Sequence, residues 1–150
     1  MKVFTRLVEH LYFQQHGNLA FYDQLTMALH RTWLEVWAKK HFKNKQLLVV
    51  IIDLNNLKQV NDVQGHAAGD LEIKGLVEYL RKVFCDKTDF ICRLGRDEFV
   101  VFTNCKEDKL QQLAHHNFSY GWYLKKPNMS LSVAMKRADQ LMYDMKYSYK

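Results

Sequence analysis

The polar block Asp53-Leu54-Asn55-Asn56-Leu57-Lys58-Gln59-Val60-Asn61-Asp62-Val63-Gln64-Gly65-His66-Ala67-Ala68-Gly69-Asp70 follows directly on the apolar run LLVVII at 47–52. A carboxylate leaving a buried strand suits Mg²⁺, which takes oxygen ligands and usually keeps one or two protein carboxylates beside substrate phosphates. Asp53 is the natural first ligand. Asp97 and Glu98 lie in a Gly-Arg-Asp-Glu tip between two β-rich runs. If that hairpin pairs beside the 47–52 strand, Asp97 comes alongside Asp53 and the two carboxylates share one metal. The Asn61 amide and the Asp70 carboxylate offer the donors and acceptors that the Watson–Crick edge of guanine requires. Lys58 and Lys146 bring mobile positive charge for phosphate. Taken singly, Asp53 reads as an exposed strand-end acid and Asp97-Glu98 as a solvated turn; their order along the chain makes the combination sharper than its parts.

These residues need a scaffold, and hydrophobic periodicity supplies it. Val3, Leu7, Leu11 and Phe13 recur at helical spacing, predicting a helix over 2–15, and a second is expected from about Asp23 to Lys40. The run at 47–52 is continuous, apolar and β-branched, the pattern of a strand buried on both faces and ending at Asp53. Ile73, Leu76, Val77, Leu80 and Phe84 mark an amphipathic helix over 68–84. Strands follow at 90–94 and 99–102 with the acidic tip between them, then a short helix over 109–116, a strand at 118–124 and a closing helix over 130–146. The order is a helical lead followed by βααββαβα. It predicts an α+β fold: an antiparallel palm or ferredoxin-like sheet covered on one face by helices. Nothing marks a boundary between two domains, so residues 1–22 read as an N-terminal helical extension and 23–150 as one domain.

Composition bounds the partners. A chain of 150 residues with 48% apolar side chains is enough for one core. Twenty-two basic against 16 acidic side chains, net +6, favour a polyanion: a triphosphate, a nucleic acid or an anionic membrane. The short basic run 39–45 reads as a solvated helix end that complements the helix dipole, so nucleic acid is not expected. Cys85, Cys92 and Cys105 lack zinc-site spacing and read as reduced thiols. The longest apolar run falls far short of the roughly 20 residues of a membrane span, and the N-terminus lacks the apolar core of a secretory signal. A cytoplasmic protein without membrane contact is expected. Trp33 and Trp37 read as packing on one helix face, and the scattered histidines as surface or packing residues.

Arg93-Leu94-Gly95-Arg96-Asp97-Glu98-Phe99 resembles the R-x-G-G-D-E-F signature of GGDEF-domain diguanylate cyclases. The upstream block resembles their D-x-D-x-F-K-x-x-N-D-x-x-G-H-x-x-G-D. Asp23-Gln24-Leu25-Thr26 is similar to their D-x-L-T, Ser119-Tyr120-Gly121 to their S-I-G strand, and 138–146 to their A-D-x-A-L-Y-x-A-K helix. The resemblance implies condensation of two GTP into cyclic di-GMP, each 3′-oxygen attacking the other's α-phosphate with Mg²⁺ or Mn²⁺ as cofactor. Carried over by position, Asp53, Asp97 and the Leu54 carbonyl bind metal. Asp97, Glu98 and Lys58 form the catalytic set, with Asp97 taking the 3′-hydroxyl proton. Asn61, His66, Asp70 and Lys146 bind substrate, as does Lys150, which stands near a usual arginine. Each domain holds one GTP, so a transient homodimer is implied.

The sequence also departs from the family. Arg96 replaces the second glycine of the signature, where a bulky side chain either blocks the site or binds phosphate. Asn55 stands for an aspartate, Leu57 for a phenylalanine, and Met27 to His30 for G-L-x-N. The R-x-x-D product-inhibition motif falls on Asp86 to Asp89, with an acid in place of arginine, so feedback there is not expected. No sensor segment precedes the motifs, so regulation is absent or comes from a separate protein. The alternative reading is a catalytically degenerate module that binds GTP or cyclic di-GMP, or mediates protein interaction.

Overall fold

The structure, a computed structural model, describes residues 19–148; the helix expected over 2–15 and Lys150 lie outside them. A turn of 3₁₀ helix at Leu19–Phe21 leads to β1 (Leu29–His30). The helix α1 covers 31–41 as Arg31–Trp33, a π-helical middle at Leu34–Ala38 and Lys39–His41. Then come β2 (Leu47–Leu54), α2 (Leu57–Gln64), α3 (His66–Val83) and the hairpin β3 (Phe90–Arg93) and β4 (Glu98–Thr103). A 3₁₀ segment at Glu107–Leu113, β5 (Phe118–Lys125) and α4 (Leu131–Ser148) complete the order.

The strands form one sheet in the order β1-β3-β4-β2-β5, antiparallel except for the short parallel edge pair β1/β3. The palm-like α+β fold is therefore as expected, with helices on both faces instead of one. Leu48, Val50, Ile52 and Leu54 face α2 and α3, packing on Leu57, Ile73, Leu76, Val77 and Leu80. Leu47, Val49 and Ile51 face α1 and α4, packing on Trp33, Leu34, Leu131, Ala134, Ala138 and Met142. Two apolar cores meet at β2, which explains why its sequence lacks the alternation of a half-exposed strand. Trp33 is buried and stacks on Trp37 with ring centroids 5.3 Å apart, the packing role expected for both. Cys85, Cys92 and Cys105 are all free, and burial pushes the Cys92 thiol up to about 12.

Two local corrections have physical causes. Residues 23–28 are not helical. Asp23 accepts from Thr26 N at 2.9 Å and Thr26 Oγ1 at 2.7 Å, a side-chain turn that competes with helix, and Met27 adopts φ 59°. The helix starts only at Arg31, after a β1 too short to announce itself in the sequence. The expected 109–116 helix is the 3₁₀ segment Glu107–Leu113, ended by extended Ala114 and by His115 at φ 66°. The two helices expected after the 47–52 strand are α2, within the polar block, and α3, and Gly65 at φ 90° joins them in a single residue.

Gly121 sets the depth of α4. It pairs with Ile51 across β2/β5, and a Cβ there would run into the backbone at Ala138 and Met142. Gly121→Ala is expected to cost about 2 kcal/mol by overpacking against backbone that cannot yield, read as a lower denaturant midpoint at unchanged slope. Met27→Gly is expected to raise stability by about 1 kcal/mol in the same measurement, because it relieves a left-handed conformation.

Candidate functional site

Strand pairing brings the acidic residues together. Asp53 is in register with Glu98 on β4 and with Ser119 on β5, so all three project on the α1/α4 side where Leu47, Val49 and Ile51 pack. Leu54 N donates to Asp97 O at 2.8 Å, tying the hairpin tip to the end of β2. Lys146 reaches in from α4, its Nζ 2.6 Å from Asp53 Oδ2. Asp53 is largely covered, its side chain 15% exposed. Burial and the Asp97 and Asp139 charges lift its carboxyl above the usual range in spite of the Lys146 bond. Glu98 is lifted too, by burial first and then by Asp139, Asp53 and Asp97, against the pull of Arg31. The hydrogen bond to Asp53 holds the Lys146 ammonium above the ordinary lysine value.

Four carboxylates thus act on one another. Asp139 is the one without a role in the sequence reading, although it lies in the closing motif two helical turns before Lys146, the spacing that puts both on one face of α4. Among the described residues no three His, Cys, Asp or Glu side chains are grouped to hold a metal ion by themselves. The donors that do neighbour one another are hard oxygens, and Asp53 is disfavoured as an anion first by burial and then by the Asp97 and Asp139 charges, a condition that a bound cation relieves. This chemistry fits Mg²⁺ held by one or two carboxylates with substrate phosphates completing the shell.

The hairpin tip is held by one guanidinium. Arg93 Nη1 bonds both Asp23 oxygens, at 3.0 and 3.1 Å, while its Nε donates to Gly95 O at 2.9 Å and its Nη2 to Arg96 O at 2.8 Å. Both partners of the ion pair are 13% exposed. Burial pushes the Asp23 carboxyl up, but the Thr26 and Arg93 hydrogen bonds and the Arg93 charge outweigh it and hold the group below its usual value. Arg96 sits on this tip, exposed, and lines a cavity of about 230 Å³ with Asp23, His30, Arg93, Leu94 and Gly95. Among the described residues the non-glycine positions at positive φ are Met27, Asn56, His115 and Asn128, so Arg96 occupies the glycine position without backbone strain.

On the other side of β2, α2 and α3 carry Lys58, Asn61, His66 and Asp70. Lys58, His66 and Asp70 are exposed. The Asn61 side chain lies so close over Gly69 that a Cβ there would collide with its Oδ1, which brings the amide beside the residue preceding Asp70. That Oδ1 is buried with no hydrogen-bond partner, a donor-seeking atom of the kind a ligand satisfies. Asn55 is engaged within the fold, accepting from Ser119 Oγ at 3.0 Å. Asp89 is likewise structural, accepting from Thr103 Oγ1 at 2.7 Å and from Asp86 N at 3.0 Å.

A family model described as "Diguanylate cyclase, GGDEF domain" matches residues 20–118. The chain is 33% identical over 112 residues to the probable diguanylate cyclase DgcJ of Escherichia coli, covering 65% of this chain and 22% of that protein. It is 35% identical over 96 residues to the cyclic di-GMP phosphodiesterase NbdA of Pseudomonas aeruginosa, covering 61% of this chain and 12% of that one. The chain thus spans about a fifth or less of these curated relatives. Among solved structures, a microbial GGDEF domain with cyclic di-GMP superposes with a TM-score of 0.73 at 29% identity, over 86% of this chain and 92% of that one. The coiled coil and GGDEF domain of DgcB from Caulobacter crescentus superposes with a TM-score of 0.77 at 22% identity, over 98% and 90%.

Because the folded Asp23 carboxyl sits below its unfolded value, its contribution to stability is complete above the ordinary carboxylate range and is lost as pH falls through the lowered value. Asp23→Asn is expected to cost about 2 kcal/mol near neutral pH and to make the stability profile flatter in acid, as measured by urea unfolding across pH.

Proposed function

We propose that this chain, which belongs to the GGDEF domain family, is a diguanylate cyclase that joins two GTP molecules into cyclic di-GMP. The observation that carries the reading is the end of β2, where Asp53 lies in register with Glu98, with Asp97 tied to Leu54 and Lys146 alongside. In this reading residues 23–150 form the cyclase domain and 1–22 a helical extension, and the protein works in the cytoplasm.

Asp53, Asp97 and the Leu54 carbonyl would hold Mg²⁺ or Mn²⁺. When bound, the ion neutralises phosphate charge and favours the alkoxide form of the attacking hydroxyl. Asp97 takes the proton from the 3′-hydroxyl, the new bond forms to the α-phosphorus of the other GTP, and pyrophosphate leaves. Glu98, lifted by burial and then by its acidic neighbours, sits beside this pair. Lys58 and Lys146 bring positive charge to the phosphates, with Lys58 stabilising the transition state. Asn61 and Asp70 read the guanine edge, a role the unpartnered Asn61 Oδ1 supports, and His66 lies on the same side. Lys150 is assigned to phosphate by its sequence position alone. Arg96, unstrained and exposed beside Asp97, adds a guanidinium suited to phosphate. Two such domains must face each other for both bonds to form, so a transient homodimer is part of the proposal.

The competing reading, a degenerate module that binds GTP or cyclic di-GMP without turnover, rests on the size of Arg96 where the family has glycine. Incubation with GTP and Mg²⁺ followed by chromatography separates the two. Cyclic di-GMP is expected from the parent, with a loss of about a hundredfold or more in Asp97→Ala. Product from Arg96→Gly and none from the parent would favour the binding module.

A further inference from the structure

The bond between Lys146 Nζ and Asp53 Oδ2, 2.6 Å long, joins the last turns of α4 to the end of β2. Asp53 is in register with Glu98 on β4, and the backbone of Asp97 is tied to Leu54 at the same strand end. Lys146 is the cation bonded to Asp53, and it stands at the solvent edge, its side chain 32% exposed against 15% for Asp53. The helix that carries it is seated against the sheet by Gly121 at Ala138 and Met142, one turn before Lys146. The ammonium is carried on a flexible four-carbon stem, a point charge that can turn from one anion to another.

We propose that Lys146 is an exchangeable internal cation: it neutralises Asp53 in the resting protein and gives up Asp53 Oδ2 to the divalent ion as the triphosphate draws the ammonium away. The inference rests on Asp53 being a metal ligand, as in the proposed function. It follows from occupancy, because an oxygen bonded to an ammonium at 2.6 Å must release it before a metal coordinates from the same direction. It also gives Lys146 two successive partners and makes it a positioning residue for Asp53. Metal alone must compete with Lys146, whereas phosphates remove the competitor, so metal and nucleotide favour each other's binding through this side chain.

The test is Mn²⁺ titration of the full chain without nucleotide, followed by electron paramagnetic resonance, on the parent, Lys146→Gln, Lys146→Arg and Asp53→Asn. Lys146→Gln is expected to bind Mn²⁺ about tenfold tighter than the parent, the scale by which one neighbouring opposite charge shifts a carboxylate equilibrium. Lys146→Arg is expected to keep the parent's affinity, and Mn²⁺ is expected to raise the melting temperature of Lys146→Gln more than that of the parent. Equal or weaker Mn²⁺ binding by Lys146→Gln, with Asp53→Asn still abolishing it, overturns the exchange and leaves the metal reading intact. Mn²⁺ binding unchanged by Asp53→Asn overturns both, and no binding in any variant overturns the exchange alone, because the metal reading has substrate phosphates completing the shell. Should Lys146→Gln fail to fold by circular dichroism, Lys146→Met is measured in its place with the same expected gain.

Discussion

The architecture depends on β2 being buried on both faces and paired on both edges. Val49 and Val50 point to opposite sides and are both fully buried, while β4 and β5 saturate the strand's backbone. Such a strand has little freedom to slip, because a one-residue shift would turn one apolar face toward the other's partners. Its register therefore fixes what stands beside its last residues: Glu98 and Ser119 opposite Asp53, with the hairpin tip hydrogen-bonded at Leu54. The carboxylate at the strand's end inherits its position from the burial of the residues before it.

Around that end the electrostatics are arranged in opposition. Burial and mutual repulsion push Asp53 and Glu98 toward protonation, while Lys146 and Arg31 pull the other way. At the neighbouring clamp the balance has the reverse sign, because Asp23 collects hydrogen bonds from both Thr26 and Arg93 and stays ionised. One carboxylate is committed to structure and holds the tip. Asp53 and Glu98 are held, by burial first and by neighbouring carboxylates second, in a setting suited to a cation. A third solution appears at the opposite end of the sheet, where the fully buried Lys125 has its ammonium satisfied by the carbonyls of Lys43, Lys45 and Lys126, and burial lowers its proton affinity.

The departures from the family pattern divide by what surrounds them. Arg96 is at an open tip whose backbone is pinned by Arg93, so its bulk meets solvent and ligand space, not a strained main chain. Met27 is different: it occupies a left-handed position in the Asp23–Ala28 turn and carries the strain itself. At 86–89 the turn is closed by its own side chains and Thr103, a structural use of Asp89.

The sequence by itself determined four of the five strands, the long helices and the candidate carboxylates. Burial of β2 is written as an unbroken apolar run, helix faces as recurrences every three or four residues, and the hairpin tip as glycine and acids between β-rich segments. The same one-dimensional signals miss β1, whose two residues pair only because β3 lies alongside, and they extend α1 backward through a turn that Asp23 closes with its side chain. Only the tertiary structure decided that helices cover both faces, that Asp139 joins the acidic group, that Arg93 bridges to Asp23, and that Lys146 lies on Asp53. The physical reason is range. Periodicity records which side of an element avoids water, whereas an ion pair between residues 53 and 146 exists only once the sheet and α4 have packed and brought two distant stretches of chain within hydrogen-bond reach.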